Sequence, residues 1–226
     1  MTHQCSPFAA ALLLAAVLPL QAHAEGLLPQ GWSLKLGINR IAPQVDSGNL
    51  SAPSLPGTQV DVKADTQPIV SLIVPVADHV TVEAFAGLPY RHDIVGDGAI
   101  AGSGNIGSTK QVSPTVFGQY RFGDNASPVR PYLGLGLTYA RFYGEEGSGA
   151  LTAMTSPGGS ATRLSIDAAW GLSAQVGVAV TLGERWFLDA ALVQTRLKTT
   201  THLSSGQDID TRLDPRSMAV AVGYRF

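Results

Sequence analysis

The chain has a single cysteine, Cys5, among 226 residues, and it is poor in charge. One thiol cannot form an internal disulfide, so no disulfide framework is available. Charged residues make up 14% of the sequence, against about 25% in an average soluble domain. The net charge of −2 supplies no basic field, and no nucleic-acid partner is expected. Beyond residue 24 no stretch approaches the roughly 20 apolar residues that a membrane helix needs. Low charge without long apolar runs has a natural solution. Alternating strands can show apolar side chains to lipid and polar ones to a lumen.

The apolar stretch Leu12 to Leu20 is too short to span a bilayer. Ala22-His23-Ala24 follows it as a small-x-small cleavage signal. Residues 1–24 are therefore expected to be a cleaved signal peptide that removes Cys5, leaving 25–226 as one exported domain. A cysteine-free mature chain suits passage through an oxidising periplasm.

Period-two alternation is plain in several places. Trp32, Leu34, Leu36 and Ile38 alternate with Ser33, Lys35, Gly37 and Asn39. Val80, Val82, Ala84, Ala86 and Leu88 form one face, with Thr81, Glu83, Phe85 and Gly87 on the other. The same pattern runs over 170–181 and over 217–226. A helix would scatter these apolar residues around its circumference. Segments 66–75, 110–122, 129–143 and 185–199 fit the same reading, giving eight strands. Short connections near 75–78, 123–127 and 183–184 alternate with long ones at 42–65, 95–109, 144–168 and 200–208. That is the asymmetry of periplasmic turns and extracellular loops. The long segments are rich in Gly, Ser and Pro, as mobile surface loops are.

Aromatic placement agrees with a membrane barrel. Trp32, Tyr132, Trp186, Tyr120, Phe122, Tyr224 and Phe226 gather on the short-turn side. Tyr90, Tyr139, Phe142, Tyr143 and Trp170 lie towards the long loops. Amphipathic rings collect in this way at the two membrane interfaces. A soluble β-sandwich or barrel would need bulk on its inner face. Here that face carries Gly37, Gly87, Gly134, Gly136, Gly171, Gly177 and Gly223, too little to fill a hydrophobic core. The expected fold is an all-β, eight-stranded antiparallel transmembrane barrel in the outer membrane.

The sequence also resembles the OmpW family of small outer-membrane barrels. The matching stretches are 89–94 (Pro89 to Ile94), 119–124 (Gln119 to Asp124) and 130–136 (Arg130 to Gly136), with Leu213-Asp214-Pro215 and the terminus Val222 to Phe226. The resemblance runs over essentially the whole mature chain. It implies an eight-stranded barrel linked to passage of small hydrophobic molecules across the outer membrane. The aromatic-x-Phe ending, Tyr224 and Phe226, looks like the signal read by the barrel assembly machinery.

Strand parity assigns the lumen. Lys35, Glu83, Arg121, Asp189 and Arg225 fall low and inward, where buried charges persist only when paired. A Lys/Arg–Glu/Asp network is expected there. Phe85, Phe117 and Val193 fall just above and also inward. These three suggest an apolar solute pocket with sideways exit into lipid; the competing reading is that they simply pack the interior, since a narrow barrel must fill its lumen. Pro89, Pro114 and Pro131 lie within or beside strands, and bulges there would flip local faces.

Other classes have weaker support. The histidines His79, His92 and His202 have no nucleophile paired with them by motif, and no Gly-x-Ser-x-Gly elbow exists, so no enzyme is expected. No His/Cys cluster has zinc spacing and no calcium-loop motif occurs. Asp208 and Asp210 read as solvated loop carboxylates, and no metal or cofactor is expected. A surface receptor or structural barrel acting through its loops is the alternative function.

Overall fold

The structure is a computed structural model that describes residues 29–226. The expected signal peptide lies outside the described residues. Eight strands form the barrel wall: β1 (Ser33–Ala42), β4 (Asp65–Ala77), β5 (Val80–Gly87), β8 (Thr115–Arg121), β9 (Val129–Gly147), β11 (Ala169–Thr181), β12 (Trp186–Arg196) and β15 (Arg216–Arg225). Every neighbouring pair is antiparallel, and the ring closes where β1 meets β15 and β9 meets β11. Closure leaves no strand edge in the apolar phase, which has no water to satisfy one.

The alternation of the sequence becomes an outside and an inside. Leu36, Leu133, Leu172, Leu192 and Val220 point outward with large exposure, reaching 75% at Leu135 and 69% at Trp170. So much exposed aliphatic surface in one belt is a lipid-facing surface and not a water-facing one. Aromatic rings bound the belt. Trp186, Tyr224 and Phe226 pack edge-on in series at the short-turn end, while Tyr139 lies against Trp170 at the other.

The wall continues past the belt, and here much of what composition presents as loop is strand. Gly, Ser and Pro do interrupt these segments, but inward runs such as Thr199, Thr201, Leu203 and Ile209, Thr211, Leu213 keep the period of two. β2 (Asp46–Ser47), β10 (Leu164–Ile166), β13 (Lys198–Leu203) and β14 (Asp208–Arg212) form one four-stranded sheet. β3 (Thr58–Val62), β6 (Tyr90–Gly98) and β7 (Asn105–Val112) pair with the top of β9 to form a second. The short helix α1 (Gly149–Thr155) is capped by Ser148, whose hydroxyl accepts from the Leu151 N–H. This hydroxyl satisfies one of the orphan donors of the first turn.

Pro89 and Pro114 mark joints between strands, whereas Pro131 lies within β9 and leaves its faces unchanged. Leu88-Pro89 separates β5 from β6, and the inward face changes from odd positions (Thr81, Glu83) to even ones (Tyr90, His92, Ile94). Ser113-Pro114 separates β7 from β8 without a change of parity. No backbone ladder joins β2 to β3 or β10 to β9 among the described residues. At β2–β3 the Ser47 hydroxyl accepts from the Val60 N–H and the Ser47 carbonyl from Gln59 Nε2, with the Leu50 N–H on the Thr58 carbonyl beside them. At β9–β10 the Ile166 N–H donates to the Glu145 carboxylate.

Candidate functional site

The lower lumen is closed by a buried polar plug. Lys35 on β1 places Nζ 2.7 Å from Glu83 Oε1 on β5 and 2.9 Å from Asp189 Oδ1 on β12. Glu83 is fully buried, and an isolated carboxylate there would be untenable. Ser71 Oγ donates to its Oε1 at 2.5 Å, and the Gln119 amide donates to Oε2. The Tyr132 hydroxyl donates to Asp189 Oδ1 at 2.9 Å. Arg121 joins through Gln119, donating from Nη2 to Oε1 at 2.8 Å, and lies 4.7 Å above the Tyr132 ring. Four of the five expected charges are thus connected, two positive and two negative. Arg225 is not among them. It donates to Thr181 Oγ1 at 3.1 Å, lies over the Phe187 ring, and lines the vestibule at the short-turn mouth with Arg121 and Arg130. Parity places it inward, but at the strand end its side chain reaches the mouth.

Above the plug, hydroxyls of Thr115, Thr138, Ser173 and Thr195 form a chain with spacings of 2.8, 2.6 and 2.7 Å. This row ties β8, β9, β11 and β12 across the barrel. Phe85, Phe117 and Val193 lie beside it, around a cavity of about 40 Å³ that also touches Asn39 and Gln111. Phe117 is buried, and Phe85 packs against the buried cluster of Ile69, Tyr132, Ala191 and Ala219.

A second cavity, about 80 Å³, lies higher, between the two outer sheets. Its wall is almost wholly apolar and includes Ile94, Ile106, Phe142, Leu151, Leu164 and Leu203. Ile94, Ile106, Leu151 and Leu203 form one buried cluster, although they come from β6, β7, α1 and β13. Gln111 borders both cavities. Sequence reasoning missed this cavity because its residues sit in segments with loop-like composition. The available signal was the short alternation of Thr199–Leu203 and Ile209–Leu213.

His92 lies in this upper wall, 1% exposed, with Nδ1 2.7 Å from the Lys63 carbonyl oxygen. His202 is on the outer surface instead. Its Nδ1 is 2.6 Å from Asp208 and its Nε2 is 3.3 Å from Asp167. The hydrogen bond to Asp208, then that to Asp167, holds its pKa above the usual imidazole range. Asp208 and Asp210 pair with His202 and Thr200.

A closed eight-stranded barrel with a lipid belt, two aromatic girdles and a plugged lumen defines an integral outer-membrane protein. The OmpW family model matches residues 32–226. The chain is 33% identical to outer membrane protein W of Vibrio cholerae, over 92% of each chain. It is 24% identical to the dibenzothiophene metabolism operon protein DoxH of a Pseudomonas strain, covering 86% of this chain and 88% of that one. The crystal structure of OprG from Pseudomonas aeruginosa superposes with a TM-score of 0.78 at 24% identity, covering 86% of this chain and 95% of that one. The chain belongs to the OmpW family, and its place is the outer membrane.

Proposed function

We propose that the barrel carries small hydrophobic molecules from outside into the outer membrane by way of the upper cavity. The carrying observation is an apolar chamber built on the inward face of a barrel whose floor is a sealed polar network. A solute that reaches the chamber finds no aqueous path downward, since Lys35, Glu83, Asp189 and Gln119 fill the lumen. The way out is sideways, at the outer headgroup margin, from which an apolar solute partitions into the lipid. The seam between β9 and β10 lies above the Tyr139–Trp170 girdle, is bordered by Leu164 and Ile166 of the cavity wall, and lacks a backbone ladder. Opening it breaks few hydrogen bonds, whereas opening any laddered pair would break a row of them.

A cavity of about 80 Å³ is smaller than the roughly 150 Å³ of an engineered cavity that takes up benzene. Solutes of several rings therefore enter as the two outer sheets part. Phe85, Phe117 and Val193 form a second, deeper resting place in this reading, reached past Gln111. The operon name of the DoxH relative, which refers to dibenzothiophene, fits an apolar aromatic cargo here.

The test is uptake of dibenzothiophene by cells expressing the wild type or Thr201→Trp. Thr201 borders the upper cavity, and the indole would fill it without adding charge. Uptake that falls to the level of cells lacking the protein supports the reading. Unchanged uptake with a fully folded barrel overturns it. A point substitution is needed because α1 supplies Leu151 to the cavity wall, so removing that loop would not separate transport from a receptor role.

A further inference from the structure

Among the groups lining the upper cavity, His92 is the one with a buried side-chain atom lacking any hydrogen-bond partner, among the described residues. Its presence there follows from the joint at Leu88-Pro89. Without that change of parity, position 92 would face outward and Asp93 would face the lumen. The joint instead directs His92 inward, where Tyr90 lies nearly parallel to it, centroids 6.3 Å apart, and is held by the Asn39 amide at 2.9 Å.

The tautomer is set by the backbone. Nδ1 faces the Lys63 carbonyl oxygen at 2.7 Å, and a carbonyl only accepts, so Nδ1 carries the proton. In the neutral ring Nε2 then presents a lone pair. That atom is buried, and the Gln111 side chain interacts with the ring without meeting full hydrogen-bond geometry at Nε2. Thr109, the cross-strand partner of His92 on β7, turns its hydroxyl to the Lys110 carbonyl. A buried acceptor left unmet is unfavourable, and a donor brought by a ligand repairs it.

We propose that the cavity discriminates in favour of hydrophobic molecules bearing a hydroxyl, alcohols and phenols, over the corresponding bare hydrocarbons, with His92 Nε2 accepting the hydroxyl proton. The apolar wall takes the hydrocarbon body, and Nε2 fixes its orientation. The proposal rests on the reading of this cavity as the solute site, and extends it to a substrate class. His92 acts as a specificity residue and takes no part in any bond-breaking step.

The experiment compares 1-naphthol with 1-methylnaphthalene, which match in shape and differ in the hydroxyl. Affinities are measured for the full-length barrel in nanodiscs and corrected for partition into the lipid. The wild type is expected to bind the naphthol about tenfold more tightly, since one hydrogen bond is worth about one tenfold step. In His92→Phe the two ligands should bind within about twofold of each other, with the affinity for 1-methylnaphthalene retained. Equal discrimination by wild type and variant would overturn the role of His92, and would point to a resident water on Nε2. Failure of the wild type to bind either ligand would overturn the transport reading itself. Should His92→Phe not fold, the 15N resonance of Nε2 in the wild type decides. A shift on adding naphthol but not methylnaphthalene supports the proposal, and an unmoved resonance refutes it.

Discussion

Replacing Lys35 by Met is the sharpest probe of the lumen plug. The substitution keeps the length of the side chain and removes its charge. Glu83 and Asp189 are then left buried, with like charge and no cation in direct contact. Breaking a buried ion pair from one side costs about 3–5 kcal/mol. The donors from Ser71, Gln119 and Tyr132 remain in place, so the loss should fall near the lower end, about 3 kcal/mol. The assay is urea unfolding of the barrel in lipid vesicles, followed by tryptophan fluorescence and by the gel-mobility difference between folded and unfolded barrels. With a slope of about 1–3 kcal/mol per molar urea, the midpoint should fall by about 1 M or more. The neutral triple variant Lys35→Met/Glu83→Gln/Asp189→Asn should recover most of that loss, because no uncompensated charge stays buried. A Lys35→Met midpoint equal to that of the wild type would refute the account. So would a triple variant no more stable than the single one.

Other outcomes follow from the same structure. A Cβ on Gly177 would stand 2.3 Å from the Tyr132 ring, so Gly177→Ala should destabilise by about 1–3 kcal/mol, whereas Gly118→Ala on the lipid side, with no atom nearer than 4.0 Å, should be close to neutral in the same unfolding assay. His202, whose folded pKa is raised by Asp208 and then Asp167, stabilises the outer sheet fully at pH below the ordinary imidazole value of about 6.5 and loses this contribution as pH rises through the folded value. An NMR titration should therefore show its midpoint above that value and falling in Asp208→Asn, and a wild-type midpoint at or below the ordinary value would refute the pairing. Introducing Glu145→Cys and Ile166→Cys and joining them with a short bismaleimide should hold the β9–β10 seam closed and stop solute transfer relative to the same double variant left unlinked. Removal of Phe226, which donates its N–H to the Trp32 carbonyl and packs on Tyr224, should reduce the amount of folded barrel in the outer membrane, read by cell fractionation.

The sequence by itself determined the barrel. A period of two is a local property of extended backbone, so Leu34, Leu36 and Ile38 must share a face once the segment is a strand, whatever lies around it. The same reasoning placed Lys35, Glu83, Arg121 and Asp189 in the lumen, because parity survives wherever a strand runs without a bulge. It could not connect them. That Lys35 bridges two carboxylates while Arg225 turns to Thr181 depends on which strands are neighbours around the ring and on their stagger, and neither is written in any one segment. The upper cavity was less legible still. Ile94, Ile106, Leu151 and Leu203 come from four separate segments, three of which read as Gly- and Ser-rich loops, and only the facing of the two outer sheets brings them together. The inward turn of His92 hangs on one dipeptide, Leu88-Pro89. Proline lacks the N–H that would continue the ladder, so a break there was foreseeable, but which way the next strand resumes is settled by the Tyr90 and Ile94 side chains finding the core. Local pattern fixed the two faces of the wall, and the tertiary arrangement decided what the inner face encloses.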